Sequence, residues 1–221
     1  MKITMYTTLL ASILVQVITG IIEFGALFLP VPSEYNFLKQ MMLLEVAVQT
    51  IEGSFYIYWF FHFNSITNIT PSRYFDWMIT TPTMLVNLIM YLRFLSSTEP
   101  LDFLTVFFEE RYMIFTILIL NWLMLFFGYL GETSSFPGVT FGFIPFILYY
   151  YLIYINYGLL SETGLMIFYY FLFFWGLYGV VAMFSYKLKN MCYNILDLFS
   201  KNFFGLFLTY LLFKGSVGSY S

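Results

Sequence analysis

Charged side chains are scarce in this sequence. Nine Lys/Arg and twelve Asp/Glu make up 10% of 221 residues, where a soluble domain carries about 25%. So few charges cannot cover a water-facing surface. With 61% hydrophobic residues and a mean hydropathy of +0.82, the chain must be solvated by lipid. The net charge of −3 leaves no basic face to neutralise phosphates, which excludes nucleic acid as a partner. Cysteine occurs once, as Cys192, so an intrachain disulfide and a cysteine cluster are both excluded, and a buried structural thiol is expected. Histidine also occurs once, as His62, so no zinc site can be assembled and no metal is expected.

What is abundant is apolar sequence in spans of roughly 20 residues, the length that crosses a bilayer. Polar or turn-forming breaks divide the chain into seven such runs, near 3–29, 38–63, 73–94, 112–130, 140–155, 164–186 and 191–213. Pro30-Val31-Pro32 ends the first and Asn64-Ser65-Ile66-Thr67-Asn68 the second, while an acidic stretch, 99–111, precedes the fourth. Short connections and no linker or repeat predict one all-α domain over residues 1–221, a multi-pass membrane protein. Lys2 precedes an apolar stretch too long for a signal-peptide core. Lys39, Arg93, Arg111 and Lys214 fall on one side of the membrane, and Lys2, Lys187 and Lys189 on the other. That split favours an external N-terminus and a cytoplasmic C-terminus.

Glu23, Glu45, Glu52, Arg73, Asp76, Asp197 and Lys201 interrupt these runs. One charge at a span centre costs ~2.5–3.5 kcal/mol on the insertion scale, so unpaired charges there mark function by default. Glu23 fits equally well a helix-end residue reaching the interface. Asp197 and Lys201 are four apart and share a helix face; Arg73, Asp76 and Thr80 do the same on the third helix. A lysine in mid-span becomes tolerable when its amine is consumed as a Schiff base stabilised by carboxylates. Asp76 and Asp197 suit that role, with Arg73 balancing the second negative charge. A static ion-pair cluster would explain the charges but not the aromatics beside them.

Arg73-Tyr74-Phe75-Asp76-Trp77-Met78-Ile79-Thr80-Thr81-Pro82 resembles the third-helix signature of microbial (type 1) rhodopsins. Asp197-Leu198-Phe199-Ser200-Lys201-Asn202-Phe203-Phe204-Gly205 resembles their retinal-binding seventh helix, and Trp175-Gly176-Leu177-Tyr178 their sixth. Gly128-Tyr129-Leu130-Gly131-Glu132 is similar to the end of helix four in the proteorhodopsin-like branch. The resemblance implies a seven-transmembrane-helix bundle carrying all-trans retinal on Lys201, with Asp76 as counterion and proton acceptor. Trp77, Thr81, Trp175 and Tyr178 would line the chromophore. Such a protein is a photoreceptor rather than an enzyme; its partners are the lipid bilayer and small cations or protons, and a homo-oligomer is compatible with it.

The departures from that pattern are specific. Outward proton pumps of the family carry a carboxylate eleven residues after the helix-three aspartate; here the position is Asn87. His62 is not at the second-helix position that proteorhodopsins pair with the counterion, Gly179 stands where a helix-six proline is usual, and Lys189 replaces a proton-release glutamate. Helix two instead carries Glu45 and Glu52, seven apart on one face and about 10 Å apart in depth. Counting from the helix ends puts Glu45 level with Asn87, and Glu52 level with Asn202. The pattern resembles the central gate of channelrhodopsins, which Ser12 or Gln16 would complete, and it resembles the small rhodopsins of giant algal viruses. Two readings follow. One is a light-gated cation channel in which a Glu52–Asn202 contact breaks; the other is an outward proton pump with Glu45 as donor. In the first, Glu52→Gln should alter selectivity and leave the visible spectrum nearly intact.

Overall fold

The computed structural model describes residues 4–218, and among them no strand occurs. Helix α1 spans Met5–Ala26 and begins on a capping box, the Thr4 side chain accepting from the Thr7 backbone N–H at 3.2 Å. It is followed by α2 (Asn36–Phe61) and α3 (Thr70–Ser96), the latter with Pro71 in its first turn and Pro82 inside it. A short α4 (Phe103–Glu109) is capped by Asp102, whose carboxylate accepts from the Thr105 N–H at 2.9 Å. That bond to its charged form holds the exposed Asp102 carboxyl below its ordinary range. Then come α5 (Arg111–Thr133), α6 (Gly138–Asn156) and α7 (Glu162–Val181). The last transmembrane passage is one continuous rod: α8 (Tyr186–Asp197), a π turn (Leu198–Asn202) and α9 (Phe203–Gly218).

Seven long rods therefore form the bundle, with α3 the most enclosed, packed between α2, α5 and α7. Six of them are long and apolar enough to cross a membrane. The seventh, α2, is 26 residues long but is diluted by Lys39, Gln40, Glu45, Gln49 and Glu52, three of which it turns inward between α1 and α3. Outward faces carry exposed apolar side chains, such as Ile21, Phe61 and Ile147, as lipid contact requires. Helix α5 approaches α6 closely. Gly131 and Gly138 meet backbone to backbone, and a Cβ on Gly138 would overlap the Phe127 carbonyl.

Two expectations are corrected by the structure. The sixth helix ends at Val181 rather than near 186, because a turn through Ala182–Phe184 reverses the chain and Ser185 begins the next rod. Cys192 is half-buried rather than buried, at the margin of a cluster built on Tyr74, Trp77 and Tyr193.

Candidate functional site

Lys201 lies within the π turn, a widened turn of the kind that recurs at functional sites. Its side chain is 3% exposed, and its Nζ faces carboxylates from three helices. Asp76 Oδ2 of α3 is 3.0 Å away, Glu52 Oε1 of α2 is 3.3 Å, and Asp197 Oδ1, one turn earlier on its own rod, is 3.8 Å. Arg73 supplies the second cation, with Nη1 3.3 Å from Asp197 Oδ2. Five buried charges in one cluster, three negative and two positive, need each other. Removing one partner from such a group typically costs 3–5 kcal/mol.

Each charge is oriented by neighbours. Tyr56 and Tyr178 both donate to Asp197, Tyr178 at 2.6 Å, and Tyr178 is also 2.6 Å from the Ser200 hydroxyl. Arg73 donates from Nε to Asn190 at 2.9 Å and from Nη2 to Asn194, and lies 4.6 Å over the Trp59 ring. Asn190, Asn194, Asp197 and Lys201 therefore form one inward stripe of the last rod. Thr80 donates to the Asp76 backbone carbonyl rather than to its carboxylate. Thr81 bonds the Trp77 carbonyl and accepts from Asn121 of α5 at 2.8 Å.

On one side of Lys201 lies an almost wholly apolar cavity. Trp77, Trp175, Tyr178 and Phe146 line it, and Lys201, Ser200 and Thr81 add polar groups to the lining. Gly128 and Gly179 keep it open: a Cβ at 128 would stand 2.8 Å from the Tyr74 ring, and one at 179 would overlap the Phe143 ring. A long aromatic slot ending at a buried amine fits a conjugated polyene aldehyde of the size of retinal.

On the other side of Lys201 the lining is polar. The inward face of α1 reads Thr8, Ser12, Gln16, Thr19, Glu23, all buried. Ser12 donates to the Asn194 carbonyl, and Asn194 donates to Thr8 at 3.0 Å. Gln16 donates to Glu52 at 3.2 Å, and Gln49 to Thr19 at 3.1 Å. Deeper still, Asn87 donates to Glu45 Oε1 at 2.7 Å. The same-depth pairing of Glu45 with Asn87 is thus a direct contact. The expected Glu52–Asn202 contact does not form. Asn202 donates to Thr19 at 2.5 Å instead, while Glu52 reaches Gln16 and Lys201. The π turn delivers Asn202 to α1, one helix away from Glu52.

Lys189, read as the substitute for a release glutamate, pairs with Glu132 of α5 at 2.5 Å. His62 sits exposed at the end of α2, away from the cluster. The residues missed from sequence are Tyr56, Asn190, Asn194, Thr19 and Gln49. The spacing of Asn190 and Asn194 ahead of Asp197 and Lys201 held that signal; Tyr56, one tyrosine among twenty, offered none.

The family described as bacteriorhodopsin-like protein matches residues 4–215. The chain belongs to that family. No curated protein sequence matches it. Among solved structures, the viral rhodopsin OLPVRII superposes with a TM-score of 0.83 at 25% identity, over 95% of this chain and 98% of that one. The proton pumping rhodopsin AR2 from the marine alga Acetabularia acetabulum gives 0.75 at 19%, over 97% and 98%. Xanthorhodopsin, described as a light-driven ion pump with dual chromophore, gives 0.75 at 18%, over 97% and 94%. These two likenesses concern the fold. This microbial rhodopsin, like the viral one, is an integral multi-pass membrane protein of a family that binds retinal through a lysine.

Proposed function

We propose that this microbial rhodopsin is a light-gated cation channel, with all-trans retinal on Lys201, an external N-terminus and a cytoplasmic C-terminus. Bound there as an imine, retinal supplies a light-driven change of shape and of proton affinity at the lysine nitrogen. Trp77, Trp175 and Tyr178 hold the slot. Asp76, the nearest carboxylate at 3.0 Å, takes the proton from that nitrogen. Asp197 stays a fixed anion, because two tyrosines and Arg73 satisfy it. Glu52 then loses its cation, leaving Gln16 as the donor to its Oε1, and the seam between α1, α2 and α9 loosens.

The single observation that carries the channel reading is that seam. From Thr8 to Glu23, every turn of α1 presents a buried polar side chain, and α2, α3 and the π turn answer with Glu52, Gln49, Asn202, Glu45 and Asn87. Buried polar groups lining a path through apolar helices are what a permeating cation requires. One observation favours the second reading, an outward proton pump. Glu45 is hydrogen-bonded to Asn87, at the depth where pumps carry their donor, and so replaces it.

Voltage clamp separates the two. A channel relaxes a gradient, so its photocurrent reverses at the equilibrium potential and shifts when external cations are exchanged; this is the expected result. A pump works against only ~2.3 kcal/mol per charge across 100 mV, and its current stays outward through that range. A steady outward current insensitive to cation exchange would reject the channel.

A further inference from the structure

Glu23 is a buried charge-bearing group that the mechanism above leaves unused. Its side chain is 1% exposed, and among the described residues neither carboxylate oxygen has a hydrogen-bond partner or a cation. Every other carboxylate in the bundle interior has at least one: Glu45 has Asn87, Glu52 has Gln16 and Lys201, Asp76 has Lys201, and Asp197 has Arg73. The groups around Glu23 are few. Thr19 lies one turn earlier on its own helix and is turned to Asn202 and Gln49. From α2, the nearest titratable group is Glu45, of like charge. From α9, the contact is the bare backbone of Gly205, and the carboxylate occupies the place where a Cβ at 205 would stand. One turn further along α9, Thr209 Oγ1 is also buried without a partner.

An unpaired anion in that setting would cost several kcal/mol, and Glu45 beside it would add repulsion. A neutral carboxyl removes both costs. Gly205 is four residues after Lys201, in the first turn of α9 beyond the π turn. A shift of the Lys201 backbone is therefore transmitted to the surface on which the Glu23 carboxyl rests. The register of that contact is held one turn away by Asn202 on Thr19.

We propose that Glu23 is a proton-carrying carboxyl at the inner end of the seam, seated on Gly205, and that it changes its protonation or hydrogen bonding when the Lys201 segment moves. It stands in series after Glu45, in the last turn of α1 before the cytoplasmic end. The inference uses the reading of Lys201 as the light-receiving residue, and it is indifferent to the choice between channel and pump.

Infrared spectroscopy of the full-length protein in lipid tests it in two arms. In the dark, wild type should show a protonated-carboxyl C=O stretch that Glu23→Gln removes and Glu45→Gln leaves in place. This arm needs no chromophore. Under illumination, a light-minus-dark difference band from the same carboxyl should appear, vanish in Glu23→Gln, and shift in Gly205→Ala, whose methyl displaces the carboxyl. The visible absorption should stay at the wild-type position in both variants. Absence of a dark band assignable to Glu23 would overturn the proposal by showing an ionised group. A dark band with no light-induced difference in coloured protein would overturn its coupling to Lys201. Colourless wild-type protein would refute instead the retinal reading, with the dark arm still deciding the protonation of Glu23.

Discussion

Three carboxylates compete for one nitrogen, and distance alone does not choose between them. At an effective dielectric constant of ~20, attractions over these separations are about 4–6 kcal/mol each. The separations of 3.0, 3.3 and 3.8 Å change that by only about a quarter. Satisfaction by other donors does choose. Asp197 shares its charge with Arg73, Tyr56 and Tyr178, whereas one oxygen of Asp76 and one of Glu52 have no hydrogen-bond partner. Asp76 and Glu52 are thus the carboxylates free to follow the charge at Lys201. Asp76→Asn should shift the visible absorption to the red and lower the pH at which the Lys201 nitrogen loses its proton, since an opposite charge favours the charged form. Glu52→Gln should do the same to a lesser degree. With Glu52 Oε1 3.3 Å from the Lys201 nitrogen, a smaller shift is expected in place of a nearly intact spectrum. Absorption titrations of both variants check this, and an unchanged Glu52→Gln spectrum would mean that Glu52 carries a proton in the dark.

At the scale of elements, small residues decide how closely the rods approach. Gly138 has no space for a methyl, because the Phe127 carbonyl and the Gly131 backbone already fill it. Gly138→Ala should cost about 1–3 kcal/mol by overpacking, read as a lower temperature of irreversible colour loss, with the absorption position kept. Gly53, which has open space around its Cβ position, is the control. Most of the bundle was legible beforehand because lipid solvation forces each span into an uninterrupted apolar run. Legibility fell where that rule is relaxed. The reversal at Ala182–Phe184 is as apolar as the helix before it, so hydropathy ran through it to Tyr186. The site divided in the same way. Arg73, Asp76, Asp197 and Lys201 were readable because charge in a span needs a reason. Glu23 was ambiguous by position alone, since only the neighbouring α9 shows that it is enclosed. The Glu52–Asn202 pairing failed because depth counting assumes a regular helix, and the π turn at Leu198–Asn202 rotates Asn202 toward Thr19.

Over the whole molecule, Lys201 stands on a boundary between two media. The slot lined by Trp77, Phe146, Trp175 and Gly179 is apolar, and the seam lined by Gln16, Thr19, Gln49, Glu45 and Asn87 is polar. The charged cluster of Lys201, Asp76, Glu52, Asp197 and Arg73 touches both. Substitutions should divide along that boundary. Gly179→Ala pushes on the Phe143 ring and so reshapes the slot; it should move the absorption maximum and leave reversal potential and ion preference alone. Glu45→Gln keeps an amide oxygen that can accept from Asn87 but removes the ionisable carboxyl from the seam; it should alter the current or its recovery and leave the absorption maximum alone. Independent, non-contacting sites add in free energy within ~0.3–0.5 kcal/mol, so the double variant should show both changes at their single-variant sizes. Asp76→Asn, which touches both media, should be non-additive with each. Spectra and voltage-clamp records of the three single and three double variants measure this. Coupling between Gly179→Ala and Glu45→Gln as large as their coupling to Asp76→Asn would show that slot and seam move as one body, and that the cluster at Lys201 is not the junction between them.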